Sequence, residues 1–520
     1  MDTGVCKKEK RCEKMKNRLL ALFLAMLLLL LTGCAKEPEE AVQITWYMLT
    51  EDVDLYNGLK GIAVIEEETG VDVVFQSPPD NSEDAYRMMV ISGDLPDVIM
   101  WQYSASTDRM LEEGLVIDLT ELIAEHAPNL MRILEERPEL RREIATADGR
   151  IFYFPSINPM LTEADICRRT NSGLIIRQDW LDKLGLGVPQ TIDEWYEVLT
   201  AFKTRDPNGN GLMDEIPFDG WGLPYFAASF GVLNSICIKP DGTVAYGPME
   251  QEYKLYLETM HKWYLEGLLG PNCLIHSDAW KTENIINNLT GGFTGMDNAW
   301  RHYLPDLQST VADAMFAPVP WPMNAQGVRY TFRQETAGHI SKFVTTITSS
   351  CEDPVAVVKF IDYMYSQKGA DLLTWGIEGE SYVVVDGQKQ LTDYALTMAE
   401  DGFLVLHHYA IGHAAFPKYD GESVVLATYP EDQLVAERTW ANSSSALIYP
   451  PFISFTAEEH AYIDGVMDDT NNYITEMEIK FITGAEPLSN YDAYVAQLER
   501  MGMDKVLEIY RSAYARYMGQ

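Results

Sequence analysis

Residues 41–101 alternate between extended and helical patterns, and that alternation limits the fold more than any other feature of the chain. "AVQITWYML" reads as a strand, a helical stretch over about 55–68 stops at "TG", and "VDVVFQS" reads as a second strand. "SEDAYRMMVISG" is the next helix and "LPDVIMW" the third strand. Strands separated by single short helices are βαβ units, so this part holds a mostly parallel sheet. Their carboxyl ends, near 46–49, 76–79 and 101–103, converge on the edge where open α/β sheets hold ligands. No Gly-x-Gly-x-x-Gly follows the first strand and there is no Gly-Lys-Ser/Thr turn, so a nucleotide site has no support.

Further along, "TIDEWYEVLTAFKTRDPNGNG" opens with a capping-box pattern, Thr191 with Glu194, and buries Ile192, Trp195, Leu199 and Phe202 along one stripe. Asp206-Pro207 and the glycines at 209 and 211 end that helix by about Arg205. The loop beyond sets oxygen ligands at alternate positions: Asp206, Asn208 and Asn210, then the Leu212 carbonyl, then Asp214 and Glu215. Calcium takes six to eight hard oxygens in a flexible wrap, and glycines between the ligands relieve crowding. The first three positions match an EF-hand loop, but its twelfth position is Pro217 instead of Glu. The expectation is a structural calcium ion held outside the cell.

The N-terminus supports an extracellular setting. Seven Lys or Arg between residues 7 and 18 precede an apolar run over 19–31, and "LTGC" ends it at Cys34. A basic region, a short apolar core and a small-residue processing site make an export signal. "LTGC" resembles the lipobox of bacterial lipoproteins, which implies lipidation of Cys34 and a lipid anchor facing the extracellular side of the cell membrane. Met15 is an alternative start. Loss of residues 1–34 moves the formal charge from −38 to about −42, a surface that repels nucleic acid and anionic headgroups. Cys167, Cys237, Cys273 and Cys351 never form a Cys-x-x-Cys; they read as buried thiols, with one or two bridges as the alternative.

"IIRQDWLDKLGLGVPQTIDEWYEVLTAFKTRDPNGNGLMDEIPF" resembles the extracellular solute-binding lipoproteins of bacterial ABC importers, in particular the carbohydrate-associated group of Gram-positive bacteria. "ISGDLPDVI", "WGIEGESYVVVDG", "YPPFISFTAEEHAYIDGVMDDTNNYITEMEIKFITG" and "YDAYVAQLERMGMDKVLEIYRSAYARY" carry the likeness over nearly the whole exported chain. The resemblance implies a periplasmic-binding-protein-like α/β fold, with two lobes closing around a ligand cleft across hinge crossings. On that plan 1–34 is the signal and 35–41 a tether, 42–160 begins the first lobe, and 161–335 forms a helix-rich second lobe. Residues 336–400 return to the first lobe, and 401–520 contribute a crossing and the C-terminal helices. The partners implied are an ABC permease and a carbohydrate ligand, bound by a monomer.

Eleven Trp and 28 Tyr are many for so acidic a chain. Trp46, Trp101, Trp221, Trp300, Trp375 and Tyr382 stand beside glycines or at expected element ends, where rings lie against sugar C–H faces. Trp300 and Trp375 lead that set, with Asp297 and Glu378 as hydroxyl acceptors and Arg177 available for an acidic sugar. The rival is an exported glycoside hydrolase, which needs a carboxylate pair with divided roles. Glu378 with Glu380 is a nominal pair that nothing marks as a proton donor. Gly-x-Ser-x-Gly and His-Glu-x-x-His are absent, so a binding protein, not an enzyme, is expected. A peptide or other non-sugar solute remains an alternative ligand.

Overall fold

The computed structural model describes residues 42–48, 53–77, 83–102, 105–157, 172–220, 222–275, 277–296, 298–332, 340–397, 416–419, 430–450 and 452–519. The described residues from Ile44 onward belong to one compact unit.

The first segment supplies β1 (Val42–Tyr47), helix α1 (Lys60–Thr69), β2 (Val71–Gln76), α2 (Glu83–Ser92), β3 (Val98–Gln102), α3 (Ala105–Glu112), α4 (Pro138–Ile144) and β4 (Phe154–Ile157). The helical stretch expected over 55–68 is broken in two, at Gly58-Leu59. Asn57 explains the break: its side chain accepts from the Phe75 amide at 2.9 Å and donates to the Phe75 carbonyl at 3.2 Å, pinning that turn to β2.

The middle segment supplies β5 (Ser172–Arg177), α5 (Ile192–Thr204), β6 (Ile216–Asp219), β7 (Ile236–Ile238), β8 (Val244–Tyr246), α6 (Gln251–Leu265), β9 (Thr290–Met296) and β10 (Phe316–Val319). α5 runs as its pattern requires, burying Trp195, Leu199 and Phe202, with Ile192 only half-buried. Thr191 caps it by accepting from the Glu194 amide at 3.2 Å, but the Glu194 carboxylate reaches back to the Gln190 amide and so does not close the box on Thr191. The remainder supplies β11 (Ile340–Ile347), α7 (Pro354–Met364), α8 (Gln367–Thr374), β12 (Tyr382–Val385), β13 (Gln388–Leu391), α9 (Glu431–Ala441), α10 (Ala457–Thr483), α11 (Tyr491–Met501) and α12 (Met503–Tyr517).

Two main sheets result, ordered β2-β1-β3-β11-β4 and β10-β5-β9-β6. In the first, β1 and β3 are parallel, and the Met48 amide donates to the Gln76 carbonyl at 2.9 Å, so β1 and β2 end together. β11 runs antiparallel to β3 and β4, pairing Phe343 with Gln102 and Ile340 with Ile157. The start of β11 and the end of β4 therefore share the edge at which β1, β2 and β3 end. In the second sheet β6 and β9 are parallel, and β5 opposes β9 with Ser172 against Met296. The start of β5 and the end of β10 lie at the edge where β6 and β9 finish.

Passages between the sheets run from Ile157 to Ser172 and from Val319 to Ile340, joining these two edges. A third leads from Tyr419, bridged to Ile157, to α9 over β5 and β10. The larger core surrounds the second sheet, where Trp180, Trp195, Trp263, Trp321 and Trp440 are fully buried. Cys237, Cys273 and Cys351 are free thiols, the first two buried; Cys167 lies outside the described residues.

Candidate functional site

The shared edges define where a ligand can meet both sheets, because backbone ends and their turns are exposed there while strand interiors are covered. On the first sheet the edge carries an aromatic stack. Trp101, at the end of β3, lies face to face with Tyr86 of α2 at 3.7 Å and 7°. Tyr47, at the end of β1, is 6.2 Å from Tyr86. The Tyr86 hydroxyl donates to Met110 Sδ at 3.3 Å, and burial pushes its pKa up to about 12. Trp101 is only half-buried, so part of its surface stays open. Tyr86 is not among the residues expected from sequence; its only signal there is a place in the first turn of a helix next to that edge.

On the second sheet the edge is the turn after β6. Asp219 is fully buried and its carboxylate accepts from the Gly220 amide and from Asn284 Nδ2, each at 2.9 Å. Gly220 has φ 101°, and a Cβ on Gly222 would fall 1.9 Å from Thr294 Cγ2. The turn is thus pressed onto β9 and held by a buried carboxylate, an arrangement only glycine allows. Trp221, between those glycines, and Asp297, after β9, lie outside the described residues.

The other expected ligand residues are placed differently. Trp46 is fully buried, stacked on Phe416 at 5.5 Å and packed against Phe75 and Phe360, because β1 is covered on both faces. Trp300 is 7% exposed and turns edge-on to Phe316, over the sheet and away from its rim. Arg177 is wholly buried at the opposite end of the second sheet, since β5 runs against β6 and β9. There it forms a two-pronged ion pair with Asp179, at 2.8 and 2.6 Å, donates to Asn288, and sits 4.8 Å from the Trp180 ring centroid. Trp46 and Arg177 are thus enclosed in the core, away from any open surface, and Trp300 is as nearly covered as Trp375 and Tyr382.

Trp375, Glu378 and Tyr382 do come together, in a small cluster of their own. Trp375 and Tyr382 are 6.0 Å apart and mostly buried, Lys389 Nζ lies 5.9 Å from the Trp375 ring, and Glu378 is exposed and bridged to Tyr382. The preceding Thr374 meets Lys418, whose carbonyl accepts from the Ile157 amide at 2.8 Å. That chain of contacts ties the cluster to the rim of the first sheet.

The loop before β6 occupies the far end of the second sheet. Asp206, at φ 45°, accepts from the amides of Gly209, Asn210 and Gly211 at 2.9 to 3.1 Å. Asn208 Oδ1 and Asn210 Oδ1 each accept from the amide two residues on, and both side-chain amides donate to Asp214. Glu215 is 7% exposed, and neither carboxylate oxygen has a hydrogen-bond partner. Burial raises its pKa most, the nearby Glu215 and Asn208 backbone amides, though outside good hydrogen-bond geometry, pull it partly back, and the charges of Asp206 and Asp214 raise it again, for a net upward shift. Among the described residues no group of three or more His, Cys, Asp or Glu side chains is gathered for a metal; any cation here needs amide and carbonyl oxygens as well.

The sequence pattern of bacterial extracellular solute-binding proteins matches residues 57–264. The fructooligosaccharide ABC transporter substrate-binding protein FusA of Streptococcus pneumoniae is 26% identical over 484 residues, 87% of this chain and 86% of its own length. The crystal structure of alginate-binding protein AlgQ2 without calcium ion superposes with a TM-score of 0.70 at 22% identity, over 92% of this chain and 98% of that one. An S. pneumoniae FusA EF-hand mutant in complex with fructo-nystose superposes at 0.71 and 24% identity, over 92% and 99%. The fold is therefore periplasmic-binding-protein-like, and among the described residues no helix is long and apolar enough to cross a membrane. On sequence and fold together, the chain is similar to the bacterial extracellular solute-binding proteins.

Proposed function

We propose that this protein captures a carbohydrate, most simply a neutral oligosaccharide, outside the cell and delivers it to the permease of an ABC importer. The observation that carries the reading is the match to a fructooligosaccharide-binding protein over 87% of the chain. The half-buried Trp101–Tyr86 stack and the turn held by Asp219 suit it, since flat rings and fixed polar groups at a rim are what a sugar needs. Trp375, Glu378 and Tyr382 belong to the same proposal at the rim of the first sheet, and the sequence adds Trp221 and Asp297, which lie outside the described residues. The two sheets with their coverings act as lobes that close on the ligand by rigid-body motion.

A calcium ion in the loop is part of the reading. Asp206, Asn208, Asn210, the Leu212 carbonyl, Asp214 and Glu215 would hold it, and the unpartnered Glu215 carboxylate is the observation that favours it. The ion would supply positive charge that lets three nearby carboxylates stay ionised; nothing in ligand capture passes through it, because the whole of β6 separates the loop from the rim. Lipidation at Cys34 would tether the protein to the membrane as a monomer. Cys34 lies outside the described residues, and mass spectrometry of the membrane fraction tests it: an unmodified Cys34 there removes the anchor.

A melting-temperature screen of the purified protein against neutral oligosaccharides, galacturonate oligomers and peptides tests the function. A ligand at 100 times its Kd raises stability by about 2.7 kcal/mol. Stabilisation by peptides and by no sugar would replace this reading with the non-sugar alternative.

A further inference from the structure

A cavity of about 360 Å3 lies where the β7–β8 hairpin meets the C-terminal helices. That volume falls within the roughly 300 to 1,000 Å3 of small-molecule sites. Tyr246, Tyr449, Phe455 and Tyr510 form aromatic walls, and Asn234 and Asn471 contribute carboxamides. The rings brace one another: Tyr449 and Tyr510 are 5.2 Å apart at 69°, and Phe455 and Tyr510 are 4.9 Å apart at 67°. No Asp, Glu, Lys, Arg or His lines the space.

Four of the six polar side chains that line this cavity are uncommitted, Ser235 donating to the Ile236 carbonyl at 3.3 Å. The Tyr449 hydroxyl is used, donating to the Tyr510 carbonyl at 2.8 Å. Among the described residues, however, the Asn234 and Asn471 carboxamides and the Tyr246 and Tyr510 hydroxyls make no hydrogen bond within the protein. A carboxamide both donates and accepts, as does a phenol, so the four together complement a ligand whose polar groups are hydroxyls. Neither an anion nor an ammonium would find an opposite charge among the lining side chains.

The position is also informative. On α10, Asp464 precedes Asn471 by seven residues, two turns or about 10 Å along the same helix face. Asp464 lies 4.0 Å from Arg109 of α3, on the first-sheet side of the molecule. The cavity therefore sits close to where the two halves meet.

We propose that this cavity is a subsite for one neutral sugar unit of a longer ligand, with Asn234 and Asn471 reading its hydroxyls and the tyrosine cluster facing its ring. The inference rests on the carbohydrate reading above and adds a place and a charge preference to it. Calorimetric titration with 1-kestose, raffinose, maltotriose and cellotriose tests it on the wild type and on Asn234→Ala, Asn471→Ala and Asn471→Asp. Asn471 is exposed on its helix, so its variants are expected to fold, which melting without sugar verifies. The sugar that binds the wild type is expected to bind each variant at least tenfold more weakly. Affinities within twofold of wild type in all three variants overturn the subsite while leaving the carbohydrate reading intact. A wild type that binds none of the four sugars overturns that reading and the subsite with it.

Discussion

Glu215 concentrates the chemistry of the loop in one side chain. Burial raises its pKa above the ordinary 4.5, and Asp206 and Asp214 add to the shift. A carboxyl with a folded pKa above its unfolded value destabilises the fold when ionised, so without a cation stability falls as pH rises from 4.5 through the raised folded pKa. A bound cation reverses that penalty. A chelator is therefore expected to lower the melting temperature at pH 7, with the gap narrowing as pH falls toward the ordinary carboxylate range. Glu215→Gln should melt higher than wild type in chelator and respond less to calcium; melting curves identical with and without calcium at pH 7 would remove the ion. Two tryptophans separate ligand contact from packing. Trp300→Ala should cost about 3 to 5 kcal/mol in urea unfolding as a core truncation, with sugar affinity of the folded protein unchanged. Trp101→Ala should weaken sugar binding by about 1 to 2 kcal/mol, as exposed aromatic anchors do, with a smaller loss of stability.

Among the described elements, α10 is the longest helix and is capped at both ends. Thr456 and Glu459 form a complete capping box, Glu459 is also gripped by Arg516 at 2.9 and 2.6 Å, and Gly484 ends the helix at φ 79°. Thr456→Ala should cost about 1 kcal/mol in urea unfolding, and a loss below a few tenths would mean that Arg516 alone holds this end. Local sequence announces such features unevenly. The Thr191 cap and the stop before Asp206 are legible because capping and helix breaking act within a few residues. The break at Gly58-Leu59 is not, because it depends on Asn57 reaching Phe75 across 18 positions.

At the scale of the molecule, the strands flanking the passages between the sheets end at the rims, and the proposed closure is a hinge motion. A saturating sugar should reduce the radius of gyration in small-angle scattering, and an unchanged value would argue for a site that does not draw the halves together. The acidity of the chain belongs to this scale too: a formal charge of −38 opposes anionic ligands at long range, and with Arg177 locked to Asp179 that residue offers no local exception.

What the sequence determined by itself was whatever short-range chemistry dictates. The parallel strands of the first segment, the amphipathic α5, the oxygen-rich loop and the family resemblance could all be read from contiguous residues. What the tertiary structure alone decided was which side chains reach the rim. β11 inserts between β3 and β4 from far downstream in the chain, and β5 runs against its neighbours, which sends Arg177 to the wrong end for a ligand. Trp46 and Trp101 both lie near strand ends, yet one is sealed by Phe360 and Phe416 while the other keeps an open flank beside Tyr86. Aromatic residues suit cores and sugar sites equally well, since both reward a large apolar face. Only the packing of distant elements determines which faces stay uncovered.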